Sequence, residues 1–297
     1  MKARHLAWAI TAVTAGLAVA TSAFALANDG ARLPADEGDE VVSFAGELAY
    51  SFTFVAFAAL GALLASRRPW SPIGWLLCLS PLSLGLSGLV TGWYVRGFYA
   101  APGSTAPPEA LLWLGGWIWV YGFVPLITAL LLLFPDGRPP SRRWRPVAAM
   151  VGLVLATMTL GYAFEPGPMD DFPRVENPLG LGGMPGELAN ALVAIGHGLL
   201  LLATIASAAA LVTRFRRSRE VERRQLKWMA AAATVAILRY RLYDLGRIVN
   251  RTLVYGALTL TLAATYLGLV LEALAAELRD AVSSTVQPAH LSLWLRR

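Results

Sequence analysis

Apolar residues in this chain come in long blocks, and the charged residues fall in the gaps between them. The blocks are Leu6 to Ala27, Phe44 to Ala65, Ile73 to Val95, Ala110 to Phe134, Val147 to Phe164 and Leu188 to Val212. Each is close to the roughly twenty residues that a helix needs to cross about 30 Å of hydrocarbon. Lipid cannot satisfy open backbone groups, so blocks of this length read as helices. The short alternating segments of a membrane barrel do not occur. A further block, Thr252 to Leu271, is long enough for a seventh span. The pattern predicts an all-α protein, a polytopic transmembrane helix bundle of about seven spans. Its parts are a six-span bundle (1–213), a basic connector (214–251), the seventh span (252–272) and a short tail (273–297).

The polar gaps alternate in sign. Lys2 and Arg4 precede the first block, Arg67 and Arg68 follow the second, and Arg138, Arg142, Arg143 and Arg145 follow the fourth. The intervening gaps hold Asp29, Asp36, Glu37, Asp39 and Glu40, then a Pro/Gly-rich turn segment, then Glu165, Asp170, Asp171 and Glu176. Arginine and lysine favour the cytoplasmic side. Six spans then fit one topology, with the N-terminus in the cytoplasm. The acidic gap at 165–187 is rich in Pro and Gly and reads as an irregular outer loop. The first block also fits a signal peptide with a small-x-small site at Ala25-Leu26-Ala27. Its length exceeds the 7–15 residues of a usual signal core, which favours an uncleaved helix.

Aromatic residues collect near the span ends. Trp93, Tyr94, Trp113 and Trp117 share the outer level, and Trp70 and Trp75 the inner one, as in an interfacial belt. Pro81 lies inside the third block, where it is expected to kink the helix.

After the sixth block comes TRFRRSREVERRQLKW, with Arg214, Arg216, Arg217, Arg219, Arg223, Arg224 and Lys227. A helix of this kind lies at anionic headgroups, where each basic residue gains about 1 kcal/mol. The next apolar run, Met229 to Leu238, is only about half a bilayer long. It is followed by Arg239 and Arg241, so 214–251 reads as staying in the cytoplasm. Leu238, Leu242, Leu245 and Val249 recur at helical steps and share a face. Arg241, Asp244, Arg247 and Arg251 fall on another, with Asp244 three residues from both Arg241 and Arg247. Such a helix suits either the membrane surface or a partner helix. Arg239, Arg241, Leu242, Asp244, Leu245 and Arg247 are the candidate relay residues.

Composition sharpens this picture. The chain has 297 residues, 56% hydrophobic and 15% charged, with net charge +6. Soluble domains carry about 25% charged residues. The basic balance is placed as topology signals are, so it does not point to nucleic acid. The single cysteine, Cys78, lies in an apolar block and reads as packing. Three scattered histidines and one cysteine have no metal-ligand spacing. No phosphate-binding loop, HExxH or GxSxG motif occurs. Glu165, Asp170 and Asp171 read as solvated loop carboxylates. No cofactor is expected.

His197 is the one ionisable group within the sixth block, in AIGHGLLLL. Intramembrane ionisable residues are functional candidates. Flanking Gly196 and Gly198 allow another helix close approach. The plain reading is a neutral histidine bonded across helices; the sharper one is a ligand or proton sensor.

Several stretches carry a resemblance. RRPWSPIGWLLC, LLLFPDGRPPSRRWRPVA, ENPLGL, RRSREVERRQLKWMA, AILRYRLYDLGRIVNRTLVYGALT and QPAHLSLWLR occur here in that order. They resemble segments of the membrane modules of bacterial two-component sensor histidine kinases. The most recognisable element is Phe134-Pro135-Asp136-Gly137-Arg138. The resemblance covers most of 60–297. It implies a multi-pass protein of the bacterial cytoplasmic membrane with a separate cytosolic or membrane histidine kinase as partner; the bilayer's anionic headgroups are a further expected partner, and a homodimer is one of the oligomeric states left open. The family pattern has a full span, and commonly another, between the QLKW-like and RYRLYD-like segments, where this chain has a few residues. The chain thus resembles a shortened relative. His290 lacks the acidic neighbour of a phosphoacceptor, and no ATP-binding boxes follow, so no kinase activity is expected. A signal-input module leads these readings. A transporter with His197 near a substrate path, and a degenerate product without activity, are the alternatives.

Overall fold

The computed structural model describes residues 2–34 and 42–217. The relay residues Arg239 to Arg247, the seventh span and the tail lie outside the described residues.

Six helices among the described residues are long and apolar enough to cross a membrane. The chain is a multi-pass integral membrane protein. The helices are α1 (Lys2–Ala27), α2 (Phe44–Arg67), α3 (Pro72–Val95), α4 (Glu109–Ile127), a short α5 (Ala129–Leu133), α6 (Arg145–Phe164) and α7 (Gly183–Arg217). Local signals set several ends. Ser43 caps α2 by accepting from the Gly46 amide, and Asp29 accepts from the Phe44 amide at 3.0 Å. Pro72 and Pro146 occupy the first turns of α3 and α6, where a missing N–H costs nothing.

Two expectations change in detail. The block Ala110 to Phe134 is two helices rather than one. Pro125 removes a backbone donor, and Thr128 leaves helical geometry at φ −120°, ψ −71°. Its hydroxyl folds back onto the Val124 carbonyl at 2.5 Å. The Pro/Gly-rich segment after α6 contains an antiparallel hairpin, β1 (Pro168–Met169) and β2 (Phe172–Glu176). Met169 and Phe172 are buried there. They give an otherwise polar loop an apolar face, and the ends of α3 and α4 give it a floor. α3 runs unbroken through Pro81.

Successive spans run antiparallel. Thr11 of α1 donates to Ala58 of α2, Ser83 of α3 bonds Ile118 of α4, and Trp113 of α4 donates to Ala163 of α6. The bundle therefore has a basic end (Lys2, Arg4, Arg67, Arg68, Arg138, Arg142, Arg143, Arg145, Arg214, Arg216) and an end rich in carboxylates. α1, α2 and α3 pack as a triad; α4, α6 and α7 extend the row.

Small residues bring backbones together, as they must where lipid offers no hydrophobic drive between helices. A Cβ at Gly61 would lie 2.7 Å from the Cys78 amide nitrogen, and one at Gly74 2.7 Å from that of Ala65. Cys78 is buried in this contact and faces the Ala58 carbonyl, as a packing residue would. Large apolar side chains point outward over the spans, among them Val19 (71% exposed) and Phe52 (76% exposed). In water that surface would be a liability; in lipid it is solvated.

Candidate functional site

Two polar sites are built into the bundle, and α7 belongs to both. The first is at the basic end. α5 stops at Leu133, and the last carbonyls of any helix lack intrahelical donors. The chain then turns through Phe134-Pro135-Asp136-Gly137-Arg138, with a cis Phe134–Pro135 bond. Gly137 takes φ +75° and donates to the Leu133 carbonyl at 2.8 Å. That left-handed geometry suits glycine.

Arg214 reaches into this turn from α7. Its guanidinium donates to the carbonyls of Leu133 (3.4 Å), Phe134 and Arg138 (2.8 Å). It also lies 3.7 Å from the Asp136 carboxylate. Arg214 is only 11% exposed, whereas Asp136 is 59% exposed. The main-chain bonds therefore matter more than the ion pair, which water screens. A cation at a helix C-terminus also meets the negative end of the helix dipole. Arg214 is thus a cap for α5 supplied by another helix.

The same turn leans on a third stretch. A Cβ at Gly137 would lie 2.8 Å from Pro72 Cδ and 3.4 Å from Ser71 Oγ. So RRPWSPIGW, FPDGR and the start of the basic connector meet at one end of the bundle. Sequence reading singled out Phe134 to Arg138 but gave Arg214 no special place among its basic neighbours. Nothing in the charge pattern separates Arg214 from Arg216. Only the helix geometry does, because Arg214 faces the turn and Arg216 faces out.

The second site is inside the membrane-spanning region. His197 is 2% exposed on α7. A carbonyl only accepts, so the 2.9 Å contact from Nδ1 to the Val193 carbonyl places the proton on Nδ1. In the neutral ring Nε2 then accepts from the Tyr162 hydroxyl of α6, at 3.4 Å. The two rings meet edge to face at 6.1 Å, and Trp119 of α4 stands against Tyr162 at 5.8 Å. Close backbone approach permits this. A Cβ at Gly196 would fall 2.5 Å from Met158 Cγ, and one at Gly161 2.6 Å from Val193 Cγ2. His197 thus bonds across to α6, with Gly196 at the close approach.

At the opposite end, Asn177 of ENPLGL caps α6. Its amide donates to the carbonyls of Tyr162 (3.3 Å), Ala163 (3.3 Å) and Glu165 (2.9 Å), and its oxygen accepts from the Leu179 amide at 3.0 Å. Tyr94, expected in the aromatic belt, is instead 1% exposed. It packs on Phe172 at 5.0 Å, and its hydroxyl accepts from the Arg174 amide. The hairpin covers it. Trp70, at 95% exposed, stands free as a belt residue would. Glu165 is buried rather than solvated, while Asp170 and Asp171 are exposed.

No group of three or more His, Cys, Asp or Glu residues that could hold a metal ion occurs among the described residues. No family model, curated protein or solved structure matches the chain.

Proposed function

We propose that this protein is a non-catalytic signal-input module of the two-component type. In this reading it sits in the bacterial cytoplasmic membrane with its basic end in the cytoplasm, and α7 passes movement to a separate histidine kinase. The observation that carries the reading is the continuity of α7. One unbroken helix of 35 residues holds the buried His197, then Arg214, and runs on to Arg217 at the start of the basic connector. At 1.5 Å per residue it is roughly 52 Å long, more than the bilayer needs. His197 and Arg214 are about 25 Å apart along it. A shift of α7 against α6 at His197 is thereby felt at the clasp, where Arg214 either keeps or leaves the carbonyls of the FPDGR turn. The connector residues Leu242 and Leu245 would meet the partner, and the anionic headgroups would hold the arginines around them. A homodimer would present two such connectors.

The test is a photocrosslinking amino acid at Leu242 or Leu245, activated in growing cells. The reading expects a covalent adduct with a histidine kinase, lost when the other leucine is replaced by Asp. Adducts with lipid alone would contradict it. The placement of His197 between helices favours one rival, a transporter. Loss of uptake in His197→Ala at normal membrane abundance would support that instead.

A further inference from the structure

The contact of Gly137 with Pro72 and Ser71 joins the α2–α3 turn to the FPDGR turn at the basic end. An arginine starts on each side of it. Arg138 follows Gly137 directly, and Arg68 lies three residues before Ser71, whose amide donates to the Arg68 carbonyl at 2.9 Å. Arg67 closes α2 beside them. All three arginines are exposed. Among the described residues, none of their guanidinium groups has a hydrogen bond, an ion pair or a ring contact. Asp136 is the one carboxylate among the described residues at this end, and it faces Arg214 at 3.7 Å. The Ser71 side chain does not cap α3, so the positive end of that helix adds to the field here.

The surroundings say what kind of anion fits. Leu60, Leu63 and Arg67 follow at steps of three and four on one face of α2. Both leucines are exposed, so an apolar track leads from the bilayer interior to Arg67. Trp70, in the same turn, also stands exposed, and a free tryptophan marks the level of the headgroups. The Trp75 indole holds the turn by donating to the Pro69 carbonyl at 2.9 Å. A free phosphate would use the arginines alone. A phospholipid would use the track as well, with an acyl chain along Leu60 and Leu63. A zwitterionic headgroup would bring a cation into the cluster, and an anionic one would not.

We infer that Arg67, Arg68 and Arg138, around the contact of Gly137 with Pro72, bind the phosphate of an anionic phospholipid. Guanidinium groups present paired N–H donors that match phosphate oxygens. Arg68 and Arg138 belong to different turns, so one headgroup between them ties the two turns together. A topology signal needs only charge on this side of the membrane. A lipid site needs arginine at these positions.

The experiment is native mass spectrometry of the full chain in detergent, titrated with phosphatidylglycerol or phosphatidylcholine of matched acyl chains. Phosphatidylglycerol is expected to form a saturable adduct, on the order of tenfold tighter than that of phosphatidylcholine. Arg68→Gln with Arg138→Gln should weaken that adduct by on the order of tenfold. Arg142→Gln with Arg143→Gln removes the same charge from the same end and should leave it within about twofold. Arg68→Lys with Arg138→Lys keeps the charge that sets topology and guards against misfolding. It should bind between the parent and the first Gln pair, because an ammonium lacks the planar fork. Inorganic phosphate should not displace the lipid. Equal adducts with both lipids would overturn the inference, as would parent-like binding in both variants of the Arg68 and Arg138 pair. Equal losses in the two Gln pairs would overturn it too, because diffuse charge would then suffice. Displacement by inorganic phosphate would leave a free-phosphate site in its place.

Discussion

Replacing Arg214 with Ala should loosen the basic end of α7 far more than replacing its neighbour Arg216. The magnitude follows from the contacts. Arg214 donates to three main-chain carbonyls and pairs with Asp136. A hydrogen bond to a charged group contributes about 1.5–3 kcal/mol. The bond to the Phe134 carbonyl is partly buried and keeps a value in that range. The Leu133 bond is long at 3.4 Å, and the Arg138 bond is exposed. The ion pair faces a carboxylate that is 59% exposed, so it adds under about 1 kcal/mol. The expected loss for Arg214→Ala is roughly 2–4 kcal/mol. Arg216 is exposed, and its Ala variant should stay within about 0.5 kcal/mol of the parent. Asp136→Asn should cost under about 1 kcal/mol. Arg214→Lys should recover less than half of the loss, because an ammonium cannot fan out over several carbonyls as a guanidinium does. The assay is reversible unfolding in mixed micelles of rising SDS content, followed by tryptophan fluorescence. If Arg214→Ala and Arg216→Ala were equally mild, the clasp would be a surface contact and the reasoning would fail.

Three further outcomes are expected. Gly161→Val should abolish stable accumulation in the membrane, since even a Cβ there meets Val193 at 2.6 Å, whereas Gly152→Val on the same helix has open space around it and should accumulate normally on immunoblots. Asn177→Ala should cost about 2–3 kcal/mol through the lost cap of α6 and speed proteolysis of the loop after Phe164; Asn177→Asp, which keeps the acceptor but loses the donor, should not rescue it. Mass spectrometry of the membrane-extracted protein should find α1 still attached, because Asn28 is buried and bonded to the Gly92 carbonyl at 2.8 Å and Arg96 holds the Ala27 carbonyl.

The spans were legible because their information is local. Twenty apolar residues between charged gaps specify a membrane helix whatever surrounds them, and all six blocks are helical at nearly the expected bounds, the fourth as two helices broken at Thr128. What escaped depends on partners distant in sequence. Tyr94 belongs to the core only because Phe172, far along the chain, folds onto it. The hairpin needed its floor before Met169 and Phe172 could be read as buried. Arg214 was one cation among many until the orphan carbonyls of α5 gave it a target. The break at Thr128 was half visible, since Pro125 signals it, but a proline inside a membrane helix does not by itself say whether the helix bends or ends.

The account turns on which side of the membrane the clasp faces, because only a cytoplasmic clasp can hand α7's movement to a kinase. The direct measurement is single-cysteine labelling in a Cys78→Ala background, with Ser141→Cys at the basic end and Asp170→Cys in the hairpin turn. A membrane-impermeant maleimide is applied to intact spheroplasts and then to lysed ones. The account predicts that Asp170→Cys labels in both and Ser141→Cys only after lysis. Labelling of Ser141→Cys in intact spheroplasts, with Asp170→Cys protected, would put the clasp outside and contradict it.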